Sequence, residues 1–328
     1  MDLFSDVMAT TRVGRAKFTR RRRSGAWGNR FGPYPGAGFH VVLQGNCWLL
    51  TLNDSPTMLT SGDVVFLPHG TLHAMSNSPD RAATALPPEP EPGRHDDFSV
   101  VGDDSPCGDD TLLLCGAYRL DGGQVHPFLR ALPEIVHVPA RPGRHPALRT
   151  AIDLLAGELA HARHGADVTL QALLDLLLVY LLRAWLEEES TRRPGSGWLA
   201  ALTDPAIAAA LNHLHREPAR PWTVQELSNQ VGLSRTAFAK RFTSFVGQSP
   251  MAYLAWWRMT TAARLLRTSD APLASVAQRV GYTSEFAFSN AFKRTFEIAP
   301  GHFRRQHRAS ADPDPDPDPD RDQRGVRG

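Results

Sequence analysis

The feature that most constrains this chain is a pattern near its carboxyl end that occurs twice, about fifty residues apart. The first copy spans residues 224–250 and the second spans residues 273–300. In each copy an apolar helix ends at a Gly, Gly232 or Gly281, which can adopt the left-handed conformation. A Ser then caps a second helix, and that helix carries a Phe pair at positions i and i+4. The duplicated spacing predicts two helix-turn-helix units in one polypeptide.

Each Phe pair predicts which face of its helix is buried. The pairs are Phe238 with Phe242 and Phe288 with Phe292, and when they turn inward the opposite side of the helix faces solvent. The residues predicted on these outward faces are Thr236, Ala239, Lys240 and Thr243 in the first unit, and Phe286, Ser289, Asn290 and Lys293 in the second. Such faces could enter a major groove of DNA. The alternative is two helical hairpins that only pack on each other, and the shared spacing of the two copies counts against it.

Charge is distributed unevenly along the chain. Residues 196–308 contain fourteen Lys and Arg against six Asp and Glu, a net charge of +8, whereas residues 1–195 contain nineteen against twenty-two, a net charge of −3. The whole-chain net charge of +2 therefore conceals a basic carboxyl-terminal domain. A surface that binds phosphates needs such an excess of cations, although a solvated helical face remains the alternative for any single Arg.

Residues 202–305 resemble the DNA-binding domain of the AraC/XylS family of bacterial transcription regulators. That family joins its two helix-turn-helix units by one long helix, and residues 253–266 stand where this connector is expected. The stretches at residues 247–254 and 299–304 fall where the family closes its units. The resemblance implies double-stranded DNA and RNA polymerase as partners. Arg304 and Arg305, just beyond the second unit, are expected to contact phosphates rather than bases.

Two positions depart from the family pattern. Ser228 stands where the first unit usually has Ala, and Ser is small enough to fit there. Glu297 stands where the second unit usually has Gly. We therefore expect either an alternative helix end or backbone strain at Glu297.

The amino-terminal half is predicted to be rich in strands. Residues 39–43, 47–52 and 64–67 are short β-branched or aromatic runs broken by turn residues, a pattern typical of a small antiparallel barrel. Residues 62–77 follow Gly-x5-Pro-x-Gly-x2-His-x3-Asn, which resembles the second motif of the cupin superfamily. The resemblance implies that His73 points into the barrel. It also implies the architecture of AraC-type regulators that have cupin-like sensor domains.

The same region contains candidate metal and redox residues. Catalytic cupins usually bring two His and a Glu from a first motif, whereas this sequence offers only His40 there. A metal-binding hypothesis can be assembled from His40, His73, Cys115 and His126, and a redox hypothesis from Cys107 and Cys115. The alternatives are that each His is a structural hydrogen-bonding residue, and that the barrel binds a small molecule or only mediates dimerisation.

Two helical segments are predicted between the barrel and the DNA-binding domain. Residues 147–164 and 169–188 carry apolar residues at spacings of three and four, so each helix has an apolar stripe. The stripes could cover the barrel or pack against a second copy in a homodimer. At the amino end, the basic run at residues 20–23 has two interpretations, a DNA-contacting arm or a solvated surface.

The resulting prediction is an α+β multidomain chain. Its parts are a cupin-like sensor domain at residues 1–145, a helical connector at 146–190, a linker at 191–197, an AraC-type DNA-binding domain at 198–308 and a disordered acidic tail at 309–328. The predicted function is transcription regulation, controlled by a small-molecule, metal or redox signal. A cupin-type metal-dependent enzyme with a helical appendage is the alternative, and the missing first-motif ligands count against it. With neither a signal peptide nor a membrane span indicated, the expected location is the cytoplasm.

Overall fold

The computed structural model describes residues 17–34, 36–89, 98–101, 110–118, 125–161, 164–192 and 197–309. Contacts divide the chain into two compact units, one formed by residues 1–212 with 224–250 and the other by residues 213–223 with 251–328. The first helix-turn-helix unit therefore belongs to the same compact unit as the β-rich part, whereas the second belongs to the other. The structure describes only part of the predicted linker, because residues 193–196 lie outside the described residues. The predicted tail lies outside them from residue 310 onward.

The described amino-terminal part is built from two β-sheets. The strands are β1 (Lys17–Arg23), β2 (Gly28–Phe31), β3 (Ala37–Gln44), β4 (Asn46–Leu50), β5 (Thr57–Thr60), β6 (Val64–Leu67), β7 (His73–Ser76), β8 (Phe98–Val101), β9 (Thr111–Tyr118) and β10 (Val136–Val138). One sheet has the order β10-β6-β3-β9-β1-β8 and the other has the order β2-β7-β4-β5. The predicted β-rich cupin region is confirmed. The pairing among the described residues does not, however, close the two sheets into the barrel that we expected.

Strand alternation places the core of this region between the sheets. Successive side chains of a strand point to opposite faces, so Val42 on β3 and Leu113 on β9 share one face while Phe39 and Tyr118 share the other. Val42 and Leu113 point inward, because the core cluster combines them with Leu49 and other residues of the second sheet. The two turns that the cupin-like motif requires are made by Gly62 and Gly70, both with positive φ.

Three helices accompany the strands: α1 (Pro127–Arg130), α2 (Pro146–Ala160) and α3 (Ala166–Arg192). Helix α2 packs against β3 and helix α3 packs against β10, both of which are strands of the larger sheet. The Tyr118 hydroxyl donates to the Leu174 carbonyl of α3 over 2.8 Å, which ties the sheet to that helix. By length and composition α3 is apolar enough to cross a membrane. Its leucine stripe, including Leu174, Leu177 and Leu181, is instead buried within the protein, as in the core helix of a globular fold.

The carboxyl-terminal part is helical and contains both predicted helix-turn-helix units. The helices are α4 (Gly197–Thr203), α5 (Pro205–Arg216), α6 (Val224–Gln230), α7 (Arg235–Val246), α8 (Pro250–Thr268), α9 (Leu273–Arg279), α10 (Glu285–Phe296) and α11 (Pro300–Ala309). Helices α6 and α7 form the first unit, and α9 and α10 form the second. Ser234 caps α7 by accepting from the Ala237 amide over 3.3 Å, and Ser284 caps α10 by accepting from the Ala287 amide over 3.1 Å.

Both Phe pairs are buried as predicted. Phe238 and Phe242 have no exposed surface, and the same holds for Phe288 and Phe292. In the second compact unit, Phe288 and Phe292 belong to a core that also includes residues of α8, α9 and α11 and the residue after α9. These are Met259, Ala262, Ala263, Leu266, Val276, Ala277, Val280 and Phe303. The long helix α8 thus supplies part of the core against which α10 packs.

The second helices of the two units, α7 and α10, are called the recognition helices below. They end in the same way, although one ends at a Gly and the other at a Glu. Helix α7 ends at Gly247, whose φ is 82° and whose amide donates to the Thr243 carbonyl over 2.9 Å. Helix α10 ends at Glu297, whose φ is 64° and whose amide donates to the Lys293 carbonyl over 2.8 Å. Of the two outcomes expected at Glu297, the structure therefore shows a left-handed residue rather than an alternative helix end. An L-residue in that conformation costs roughly 1–2 kcal/mol.

Replacing Glu297 with Gly should stabilise the second unit. Glu297→Gly removes the steric cost of the left-handed backbone, and the larger entropy of Gly in the unfolded chain offsets part of the gain, leaving about 0.5–1 kcal/mol. Denaturant unfolding of the full chain, with amide hydrogen exchange in α10 and α11 as the reporter, measures the gain. Glu297→Ala is the matched control, because it removes the carboxylate but keeps a Cβ at positive φ. An equal gain in both variants would show that charge and not backbone strain is responsible.

Candidate functional site

The outward face of α7 is accessible along its whole length. Thr236, Lys240 and Thr243 are exposed and Ala239 is half-buried, on the side opposite the buried Phe pair. The capped amino end of the helix lies at Ser234, so Thr236 is in its first turn. The face offers an ammonium donor and two hydroxyl groups, the side-chain types that contact base edges and phosphates.

Helix α10 presents the corresponding face in the second unit. Phe286, Asn290 and Lys293 are exposed and Ser289 is half-buried. Arg294 is also exposed, and it lies about 40° from Asn290 around the helix. The sequence reasoning did not include Arg294, although its helical position and charge would have been sufficient to find it.

The two arginines beyond the second unit differ in their surroundings. Arg304 is half-buried, and its guanidinium donates to the Ala271 carbonyl over 2.6 Å. Arg305 is exposed. The structure therefore gives Arg304 a bond within the protein and leaves the Arg305 side chain at the surface, where a phosphate could reach it.

Helix α7 is held in place by an ion pair. Asp204 caps α5, because its Oδ1 accepts from the amides of Ala206 and Ile207 over 3.1 and 3.0 Å. Its Oδ2 binds the guanidinium of Arg241 on α7. Arg241 thus joins α7 to the start of α5. Helix α4 also packs against α7.

Trp198 on α4 connects this arrangement to the β-rich part. Its side chain is only 6% exposed. Its ring lies edge-on to His126, with centroids 5.2 Å apart, and to Phe128 of α1, with centroids 6.1 Å apart. Side chains that accompany the β-rich part therefore contact α4, which in turn packs against α7.

A buried histidine pair lies inside the β-rich part. The Nε2 atoms of His40 on β3 and His73 on β7 are 2.7 Å apart. His73 Nδ1 is 2.7 Å from the Thr71 carbonyl, which can only accept, so His73 carries its proton on Nδ1. His73 Nε2 then accepts from His40 Nε2, which leaves His40 Nδ1 as an acceptor. That atom is buried, and none of the residues that the structure describes forms a hydrogen bond with it.

Burial keeps both rings neutral. It lowers the pKa of His73 to about 4, although the hydrogen bond to the Thr71 carbonyl acts in the opposite direction. Burial, and then the proximity of His73, hold the pKa of His40 well below its usual range. Phe31 adds an apolar wall, stacked on His73 with ring centroids 5.3 Å apart. The pair can accept a hydrogen bond at neutral pH but does not carry charge.

The four residues of the metal hypothesis do not come together. Cys115 is paired with His40 across β9 and β3, but His126 caps α1, where its Nδ1 accepts from the Phe128 amide over 3.0 Å. Over the ranges that the structure describes, no three His, Cys, Asp or Glu side chains are placed to hold a metal ion. The His40–His73 separation is that of a hydrogen bond. The residues present therefore do not fit the three-ligand metal set of catalytic cupins.

The cysteines are shielded rather than activated. Burial raises the pKa of Cys47 to about 12 and raises the pKa of Cys115 as well. Because the thiolate is the reactive form, both described thiols are poor nucleophiles at neutral pH. Cys107, the other member of the redox hypothesis, lies outside the described residues.

The basic run at residues 20–23 fits neither of its two interpretations. It lies in β1, where Arg21 and Arg23 bind Glu89 over 2.5 and 2.9 Å and Arg22 binds Asp110 over 3.3 Å. The side chain of Arg21 is only 4% exposed. Arg21, Arg22 and Arg23 therefore form ion pairs within the β-rich part, and the Arg20 guanidinium donates to the Leu159 carbonyl over 3.2 Å.

Comparison with known proteins places these features in a family. The "Cupin" family model matches residues 2–187, and the "Helix-turn-helix domain" model matches residues 227–306. An AraC-like transcription regulator of Streptomyces lividans is 35% identical, over 93% of this chain and 98% of its own length. The HTH-type transcriptional regulator AlkR of Acinetobacter baylyi is 31% identical, over 93% of this chain and 100% of its own. The solved DNA-binding domain of AdpA, in complex with a target DNA, is 31% identical over 33% of this chain and 96% of that domain, with a TM-score of 0.31.

The relatives that align with nearly the whole chain are transcription regulators and not enzymes. The prediction of a non-enzymatic protein is therefore confirmed, and the alternative of a cupin-type enzyme finds no support among them. The chain belongs to the AraC family of helix-turn-helix transcription regulators and carries an amino-terminal cupin domain.

Proposed function

We propose that this regulator reads a specific DNA sequence with the outward faces of α7 and α10, under the control of a small molecule that acts on its cupin domain. The observation that carries the proposal is the repeated geometry of the two units, each with a buried Phe pair and an accessible polar or basic face. Such a protein acts on the bacterial chromosome, in the cytoplasm. RNA polymerase is the further partner that the family resemblance implies, and a second copy of the chain is a candidate partner for the connector helices.

Individual residues of the two faces suit particular contacts. Lys240 can donate to guanine O6 and N7, and the Asn290 amide can pair with adenine N6 and N7. The exposed Arg305 is suited to a phosphate, with which it would form a bond that does not depend on sequence. Two units in one chain should occupy major grooves about one helical turn, or roughly 10 base pairs, apart.

Losing a contact to a base and losing a contact to a phosphate should have different effects on DNA binding. Lys240→Ala and Asn290→Ala should each weaken binding to the preferred site by roughly 1–3 kcal/mol while binding to random DNA stays nearly unchanged. Arg305→Ala should weaken binding to both DNAs and reduce the salt dependence by about one phosphate contact. Titrations of both duplexes at several salt concentrations separate the two effects. If Lys240→Ala weakened both DNAs equally, Lys240 would not be a base-reading residue.

Within the cupin domain, the proposed signal would act at His40. Among the described residues His40 Nδ1 has no hydrogen-bond partner, and it is buried beside the aromatic ring of Phe31. A small molecule with a hydrogen-bond donor on an apolar body would satisfy that atom. The contacts from the His126 and Phe128 side chains to Trp198, and from α4 to α7, provide a physical route to the first recognition helix.

The neutral histidine pair generates a pH prediction. Between about pH 4 and pH 6.5 an unfolded His binds protons that buried His73 does not, so stability falls as the pH drops through this window. From about pH 7 to about pH 5 the loss due to His73 should be about 2 kcal/mol. Urea unfolding of the parent chain and of His73→Gln at both pH values measures it, with the exposed His302→Gln as the matched control. Equal pH dependence in all three proteins would contradict a neutral, buried His73.

The contact between Phe128 and Trp198 should determine how well ordered α7 is. Phe128→Ala removes one aromatic partner of Trp198, so amide hydrogen exchange should become faster in α4 and α7 but not in α10. Leu129→Ala is the matched control, because it truncates a neighbouring buried side chain of the same short helix. Faster exchange throughout the chain in both variants would indicate general destabilisation instead of a route from the cupin domain to α7.

A further inference from the structure

Phe286 is an exposed aromatic side chain on a recognition helix. It is 77% exposed, whereas Phe288 and Phe292 of the same helix are fully buried. Single exposed apolar residues are common on protein surfaces, so exposure alone is not informative. The exposure of Phe286 is informative because of the position of this residue within α10.

Phe286 lies at the end of α10 that is suited to reading bases. It is the second residue after the cap Ser284, and the amino-terminal residues of a recognition helix are the ones that contact base edges. Asn290 lies one turn further along the same side, followed by Lys293. The ring therefore forms the apolar end of an otherwise polar and basic strip.

The chemistry of the major groove offers one principal partner for such a ring. Its floor presents hydrogen-bond donors and acceptors, and among the four standard bases its apolar group is the C5 methyl of thymine. An aromatic ring cannot satisfy the donors or acceptors but can remove that methyl group from water. The equivalent position of the first unit is Thr236, so the two units differ at this point.

We infer that Phe286 is a specificity-determining residue that selects thymine at one position of the operator by packing against its C5 methyl group. The inference rests on the proposed function, because it requires α10 to enter a major groove. The occupant of this apolar surface is DNA and not a protein partner, because the surrounding exposed residues of α10 include Asn290, Lys293 and Arg294, and the carboxyl-terminal domain is basic.

Deoxyuridine provides the test, because it pairs like thymine but lacks the methyl group. A preferred duplex is first selected from a random library with the full-length protein, and each thymine is then replaced singly by deoxyuridine. One replacement should weaken binding of the parent protein about fourfold, the equivalent of about 0.8 kcal/mol for one buried methylene-sized group. Phe286→Ala should bind the thymine and deoxyuridine duplexes equally. Phe286→Leu should keep part of the discrimination.

Asn290→Ala is the matched control for this experiment. It should lose affinity for the selected duplex but retain the same preference for thymine over deoxyuridine. The inference is overturned if no replacement weakens binding of the parent protein, or if Phe286→Ala keeps the preference. It is also overturned if Phe286→Ala binds both duplexes like the parent but loses self-association or another protein contact. Failure of the proposed function gives a different result, since no preferred duplex would then be selected at all.

Discussion

The packing of two Phe rings one helical turn apart is the interaction on which each DNA-binding unit depends. In both α7 and α10 the pair is fully buried, which fixes the rotation of the helix about its axis. Once that rotation is fixed, the identity of the outward residues follows from the sequence. The two helices also share the same left-handed end, at Gly247 and at Glu297, although that backbone conformation is unfavourable for Glu.

Features that depend on residues close together in the sequence could be predicted, whereas features that depend on distant residues could not. Both helix-turn-helix units, their caps and their outward faces depend on residues within one or two turns, so periodicity was sufficient. The arginines of β1 could not be assigned in this way, because their partners Glu89 and Asp110 lie 66 and 88 residues further along the chain. The organisation of the strands into two sheets and the approach of His40 to His73, 33 residues apart, depend equally on distant pairing.

The interior of the cupin domain shows how similar residue types can serve different chemistry. In a metal site the His rings would direct lone pairs at a shared ion, whereas here one ring donates to the other and the chain of bonds ends at the Thr71 carbonyl. Burial favours the neutral forms that such an arrangement needs. The remaining acceptor, His40 Nδ1, is a buried polar atom beside the Phe31 ring, so the proposed effector would have to donate a hydrogen bond to it.

The two recognition helices are supported by different neighbours, and this bears on how a signal could change DNA binding. Helix α7 belongs to the compact unit that includes the cupin domain, and it is held by the Asp204–Arg241 ion pair and by α4. Helix α10 is mounted on a core formed with α8, α9 and α11. A ligand shifts a conformational equilibrium only by the difference between its affinities for the two states. In the proposed function, an effector in the cupin domain would act on α7 through Trp198, because α7 and not α10 packs against α4.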